Sequence, residues 1–210
     1  MRIALISGSP KINNSASGAL LADLKGYLGA DAEILEFGFH SGAVAKEVID
    51  ELTKADAWVF AYPLYVDGIP GHLLSCLIQL EEAGIKSPQI HIYCIVNCGF
   101  YEGIQADVAL KLLQNWCLKA DLVWGGGIGI GGGGGLAMMP QTPPGKGPKA
   151  PIEKELEELS KVILKKEVRE NHYVSVALPR FLYKLGAEMG WRRMIKANGG
   201  KVRDLKKKVF

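Results

Sequence analysis

Residues 2–17, RIALISGSPKINNSAS, decide the fold. Arg2–Ser7 is a short apolar run bounded by Gly8 and Pro10, and the helical stripe Leu20, Leu24, Leu28 begins just beyond Ser17. A buried strand, a polar turn and an amphipathic helix in immediate succession are the opening of a parallel α/β sheet. In such a sheet ligands sit beyond the C-terminal strand ends, near the topological switch point. The helix start there presents free N–H groups and a positive dipole end, which favours a phosphate by about 0.3–1 kcal/mol from the dipole alone. Ser9, Lys11, Asn14, Ser15, Ala16 and Ser17 are therefore candidate phosphate-binding residues, the serines and Asn14 as donors and Lys11 as a charge. The cluster also reads as a plain helix cap by Asn14 or Ser15. GxxxxGK[ST] is absent, GxGxxG does not follow the first strand, and no Cys precedes a phosphatase-like Arg, so a mononucleotide fits better than ATP or a dinucleotide.

Outward from that loop the pattern repeats. Further strands are expected at Glu33–Phe37, Ala57–Tyr62, Ile90–Asn97 and Leu122–Ile130, the last weakened by glycine. Ala45, Val48, Ile49 and Leu52 mark a second helix. Pro70 starts and Gly84 stops a third, with Leu73, Leu74, Leu77 and Ile78 between them, while Val108, Leu112 and Trp116 mark a fourth.

The third strand ends in YPLYVDGIPGHL, opposite the first loop across the switch point. Leu64, Tyr65 and Val66 with Asp67 and Gly68 could wall a flat aromatic ring, after Pro63 has ended the strand. Gly68 suits a backbone conformation that other residues resist. The alternative is a tight turn that buries Tyr65 as packing. The fourth strand ends in NCGFYEGI: Asn97 and Gly99 suit a ring's polar edge, Phe100 and Tyr101 could cover it, and Glu102 could receive a contact. Cys98 has no identifiable partner base for nucleophilic chemistry.

Three such loops, GSPKINNSAS, PLYVDGIPGHL and NCGFYEG, at successive strand ends resemble those of the NADPH-dependent FMN reductases and multimeric-flavodoxin-type NAD(P)H-dependent oxidoreductases, within the flavodoxin-like quinone reductases. The resemblance spans most of residues 1–135. It implies a three-layer α/β fold with a five-stranded parallel sheet of order 2-1-3-4-5, to which the spacing of Phe181, Leu185 and Met189, stopped by Asn198 and Gly199, adds a C-terminal helical extension. It implies FMN held by the three loops, Cys98 among the contacts, with NAD(P)H as electron donor. It implies a homodimer or homotetramer, and two-electron reduction of a small acceptor such as a quinone, flavin, nitro or azo compound or oxidised metal. The flavin would carry the hard chemistry, so no catalytic side chain is named. Two rivals share the fold: a flavodoxin-like electron carrier that never uses nicotinamide, and a binding module without activity. Carriers of this kind are typically strongly acidic, whereas this chain has a pI near 8.6.

The domain is expected over residues 1–136, a Pro/Gly-rich loop over 137–151, and the last helix with a basic extension over 152–210. The 26 glycines in 210 residues exceed the ordinary ~7% and concentrate in GGGIGIGGGGG, residues 125–135. Its formal GxGxxG match lacks the required helix, because prolines follow. The run is expected to form the fifth strand and to allow close approach of a partner subunit or substrate. Cys76, Cys94, Cys98 and Cys117 show neither CxxC spacing nor disulfide density, which argues against an iron-sulfur flavoprotein; four histidines show no metal spacing. No structural metal is expected, and the roughly six apolar residues before the first polar turn, too few for a signal-peptide core or a membrane span, suggest a cytoplasmic protein. Residues 179–210 carry +8, leaving −5 for the rest of a chain that is +3 overall. That tail is where contact with nucleic acid or an anionic membrane would occur; packing of Leu182, Leu185, Met189 and Trp191 on the core or a second subunit is the alternative.

Overall fold

The computed structural model describes residues 1–133 and 147–207. Alternation begins with β1 (Arg2–Ser7), α1 (Ala16–Leu28), β2 (Glu33–Gly38), α2 (Lys46–Leu52), β3 (Ala57–Pro63) and α3 (Gly71–Glu82). It continues with β4 (Ser87–Asn97), α4 (Asp107–Lys119), β5 (Leu122–Gly131), α5 (Ala150–Leu164), β6 (His172–Ser175) and α6 (Arg180–Ala197). Of the expected loop 137–151, residues 137–146 lie outside the described residues.

The sheet is wholly parallel in the order β2-β1-β3-β4-β5-β6. The expected order holds for the first five strands, but the sheet has six. The sixth pairs Ile128–Gly131 with His172–Ser175. HYVS contains no apolar run, and an edge strand needs only one well-packed neighbour, so local sequence does not announce it.

Strand alternation divides the core. Ala4, Ile6, Trp58, Phe60, Tyr62, Ile92, Cys94 and Val96 point toward one face and meet Leu52, Leu73, Leu77, Leu110 and Leu113 of α2, α3 and α4. Phe60 sits at the centre of edge-on aromatic pairs, with ring centroids 6.4 Å from both Phe39 and Trp58 and 6.3 Å from Trp116. On the opposite face α1, through Leu20, Leu24 and Leu28, neighbours α5. There Lys149, buried just before α5, reaches Asp23 of α1 at 2.9 Å and Glu153 at 3.6 Å.

The stripe expected on α4 is rotated. Its buried residues are Ala109, Leu110, Leu113, Trp116 and Cys117, whereas Val108 and Leu112 are half exposed. At ~100° per residue, one position moves a side chain from the core face to its shoulder. Leu74 and Ile78 of α3 are likewise exposed beside buried Leu73 and Leu77.

Two compact units result, Met1–Ala177 and Leu178–Phe210. The second contains α6, closed by Asn198 with Gly199 at φ +75°, and none of the α6 residues is buried. No helix among the described residues is long and apolar enough to cross a membrane.

Candidate functional site

The first loop is fastened at nearly every step. Gly8 N donates to the Ala61 carbonyl at 2.8 Å, and Phe39 N donates to the Ser7 carbonyl at 2.8 Å. The next two carbonyls are taken by imidazoles: Gly8 O lies 3.1 Å from His72 Nε2, and Ser9 O lies 2.7 Å from His40 Nδ1. Ser9 is buried, and its hydroxyl oxygen accepts from Lys11 N at 3.2 Å. The side chains of Lys11 and Asn14 are exposed, and Asn14 adopts φ +54° immediately before the helix cap.

Ser15 is that cap: its Oγ accepts from Gly18 N at 3.0 Å. Capping occupies an oxygen lone pair and leaves the hydroxyl proton to be donated elsewhere, so the two readings of Ser15 coexist. Ala16 and Ser17 open the helix, where backbone N–H groups have no intrahelical acceptor. The Ser17 hydroxyl is committed elsewhere, donating to Asn97 Oδ1 at 2.8 Å, with both residues buried.

That bond joins the first loop to the third. The second is joined to the third by Leu64 N donating to the Asn97 carbonyl at 2.8 Å, just past Pro63. From there the chain turns outward. Tyr65 and Gly68 exchange backbone bonds of 3.3 and 3.0 Å around Val66 at φ +48° and Asp67 at φ +57°. This is type I′ geometry, which favours Asn or Gly at its centre. The left-handed conformation expected of Gly68 is therefore carried by Val66 and Asp67. Tyr65 is 46% exposed and Val66 fully so, which excludes burial of Tyr65 as packing. On the outer side of the turn Tyr65, Val66, Ile69, Leu74, Leu112 and Trp116 line an apolar groove.

The third loop lies on β5. Cys98 N donates to the Ile130 carbonyl at 2.9 Å, and Gly133 N returns to the Cys98 carbonyl at 2.7 Å; Gly132 N donates to the Phe100 carbonyl at 2.6 Å. The glycine run makes this possible. A Cβ on Gly131 would run into the Tyr101 carbonyl, and one on Gly129 would lie 2.5 Å from the Gly103 carbonyl. The close approach expected here is thus made within the chain, by the third loop. Asn97 and Cys98 are buried, Gly99 and Phe100 are exposed, and half-buried Glu102 precedes the short turn Gly103–Ala106. Burial pushes the Cys98 thiol up, and its sulfur lies 3.8 Å from two carbonyls, which opposes thiolate formation.

The structure therefore brings Ser15, Ala16, Ser17, Pro63, Leu64, Asn97 and Cys98 together at the C-terminal edge of the sheet. It leaves Lys11, Asn14, Val66 and Asp67 on exposed backbone around them. Sequence reasoning passed over His40 and His72 after testing histidines only for metal spacing; their positions just after β2 and in the first turn of α3 were the available signal. Among the described residues, no group of three or more His, Cys, Asp or Glu side chains is placed to hold a metal.

This is the flavodoxin-like fold with one strand added. No family model and no curated protein matches the sequence. Solved structures do match in shape. An NADH:FMN oxidoreductase in its apo form superposes with a TM-score of 0.61 at 15% identity, covering 80% of this chain and 91% of that one. An azoreductase from Bacillus anthracis str. Sterne gives 0.54 at 17%, covering 79% and 99%. A short-chain flavodoxin associated with a bacterial microcompartment gives 0.55 at 11%, covering 79% and 98%. At these identities the likeness is one of fold.

Proposed function

We propose that the chain is an FMN-dependent NAD(P)H oxidoreductase that reduces small acceptors by two-electron transfer. The observation that carries this reading is the joining of three strand-end loops by two hydrogen bonds, the buried Ser17–Asn97 bond and the Leu64–Asn97 backbone bond, around the open start of α1. The donors fit a phosphate monoester: first-turn N–H groups and the Ser15 hydroxyl supply hydrogen bonds, while the Gly8 and Ser9 carbonyls are turned toward imidazoles. Tyr65 and Phe100, both about half exposed, are the aromatic surfaces available to an isoalloxazine ring at the same edge. Bound FMN supplies hydride acceptance and two-electron donation. The protein's part is to hold, orient and partly desolvate it, and no side-chain acid or base is required. Quinones, flavins, nitro or azo compounds and oxidised metals are the acceptor classes of this reading.

The exposed apolar groove beside Tyr65 supports self-association as a dimer or tetramer; sedimentation equilibrium tests this, and a monomer throughout the micromolar range would refute it.

The deciding experiment is an absorbance spectrum of protein reconstituted with FMN, followed by anaerobic NADH or NADPH. Flavin bands that bleach within the turnover time support the oxidoreductase. Bands that persist favour the electron carrier, which the fold shared with flavodoxins keeps as the second reading. Absence of bound flavin refutes both. Ser15→Asp keeps a helix cap but places a carboxylate beside the phosphate, so FMN retention is expected to fall while helix content stays unchanged.

A further inference from the structure

We propose that His40 and His72 are positioning residues that hold the first loop from behind, turning two consecutive carbonyls away from the anion it receives. The inference rests on the FMN reading and concerns how this loop discriminates a phosphorylated flavin.

A loop that binds an anion through N–H groups must keep its carbonyl oxygens out of the same space. The Ser9–Pro10 peptide is the acute case: proline has no N–H, so this unit presents only a carbonyl. His40 Nδ1 takes that oxygen at 2.7 Å. In the preceding trans peptide the Gly8 carbonyl and the Ser9 N–H point in opposite directions, so fixing one fixes the other. His72 Nε2 takes the Gly8 carbonyl at 3.1 Å.

The two rings arrive from separate elements. His40 follows β2, and its imidazole lies across Gly38, where any Cβ would collide with the ring. His72 comes from the first turn of α3, which approaches closely enough that a Cβ on Gly8 would be 2.6 Å from Leu73 Cδ2. Gly38 thus makes room for the His40 ring, and Gly8 for the helix that carries His72. Because a carbonyl only accepts, His40 must carry its proton on Nδ1 and His72 on Nε2, opposite tautomers when both are neutral.

The test compares FMN with riboflavin, which has the ring but not the phosphate. His40→Ala and His72→Ala are each expected to weaken FMN about three- to tenfold, the ordinary worth of one such hydrogen bond, while riboflavin affinity stays within about twofold. His40→Asn and His72→Gln, which keep an N–H near Nδ1 and Nε2 respectively, are expected to recover most of the loss. Nitrogen-15 spectra of the imidazoles are expected to show the opposite tautomers. Equal weakening of both flavins, no recovery by the conservative variants, or either histidine in the other tautomer would overturn the clamp. If the wild-type protein binds neither flavin, the cofactor reading fails separately, and the clamp stands or falls on the tautomers.

Discussion

β3 and β5 flank β4 in the same sheet, both parallel to it, yet they are held by opposite means. β3 contributes Trp58, Phe60 and Tyr62, all fully buried, and its position follows from the apolar area those rings remove from water. β5 contributes glycine at 125, 126, 127, 129 and 131 and is defined by what lies on it: the third loop, β6, and Asn171, whose Oδ1 accepts from Gly127 N at 3.0 Å. The contrast continues beyond the strand ends. β3 releases an exposed turn at Val66, whereas β5 forms the floor on which the third loop rests. One edge of the sheet therefore pairs a tip that projects with a platform that admits backbone directly onto backbone.

The largest blow to this contrast comes from β3. Phe60→Ala is expected to lower unfolding stability by about 3–5 kcal/mol, measured by denaturant titration. A loss below about 1 kcal/mol would mean that the aromatic cluster is not the anchor. Gly131→Val should cost about 1–3 kcal/mol through overpacking against Tyr101 and also shift the third loop. Stability and riboflavin affinity should fall together; a neutral variant would remove the platform argument. Val66→Gly tests the projecting turn and is expected to raise stability by no more than about 1 kcal/mol, because relief of the left-handed valine is offset by a freer unfolded chain.

The smallest effect concerns the edge beside β5. Tyr173 donates to Asp107 at 2.6 Å, and hydrogen bonds from Lys111 first and Tyr173 second hold that carboxyl below the usual range. A depressed carboxyl value stabilises the fold fully above the ordinary Asp value near ~4, and the contribution disappears as pH falls through the lower folded value. Tyr173→Phe should therefore make stability less steep with pH below about 4; an unchanged slope would assign the effect wholly to Lys111.

How much was legible follows from the same contrast. β1, β3 and β4 are written as apolar runs because both their faces are buried, and the helix start at Ser15 is written as a serine before an apolar stripe. The order of three loops along one edge follows from those elements alone. β6 was illegible because HYVS is short and carries no apolar run; its place comes from pairing with the Ile128–Gly131 backbone and from Tyr173, which packs on the core and reaches Asp107, a contact 66 residues away in sequence. The left-handed turn was assigned to Gly68 by residue type, but the bonds between Tyr65 and Gly68 put it one and two residues earlier. The Ser17–Asn97 bond links residues 80 apart in sequence, and no local pattern signals such a pairing.

β5 has a further consequence, for how the protein assembles as it is synthesised. The ribosome delivers this strand well before His172–Ser175, the residues that cover its outer side. In that interval the nascent sheet ends in an open row of backbone donors and acceptors, ordinarily an invitation to intermolecular pairing. On the face of Gly127, Gly129 and Gly131 the strand offers such an intruder no side chain to grip, which leaves Ile128 and Ile130 on the other face as the contacts that a wrong partner would have to find.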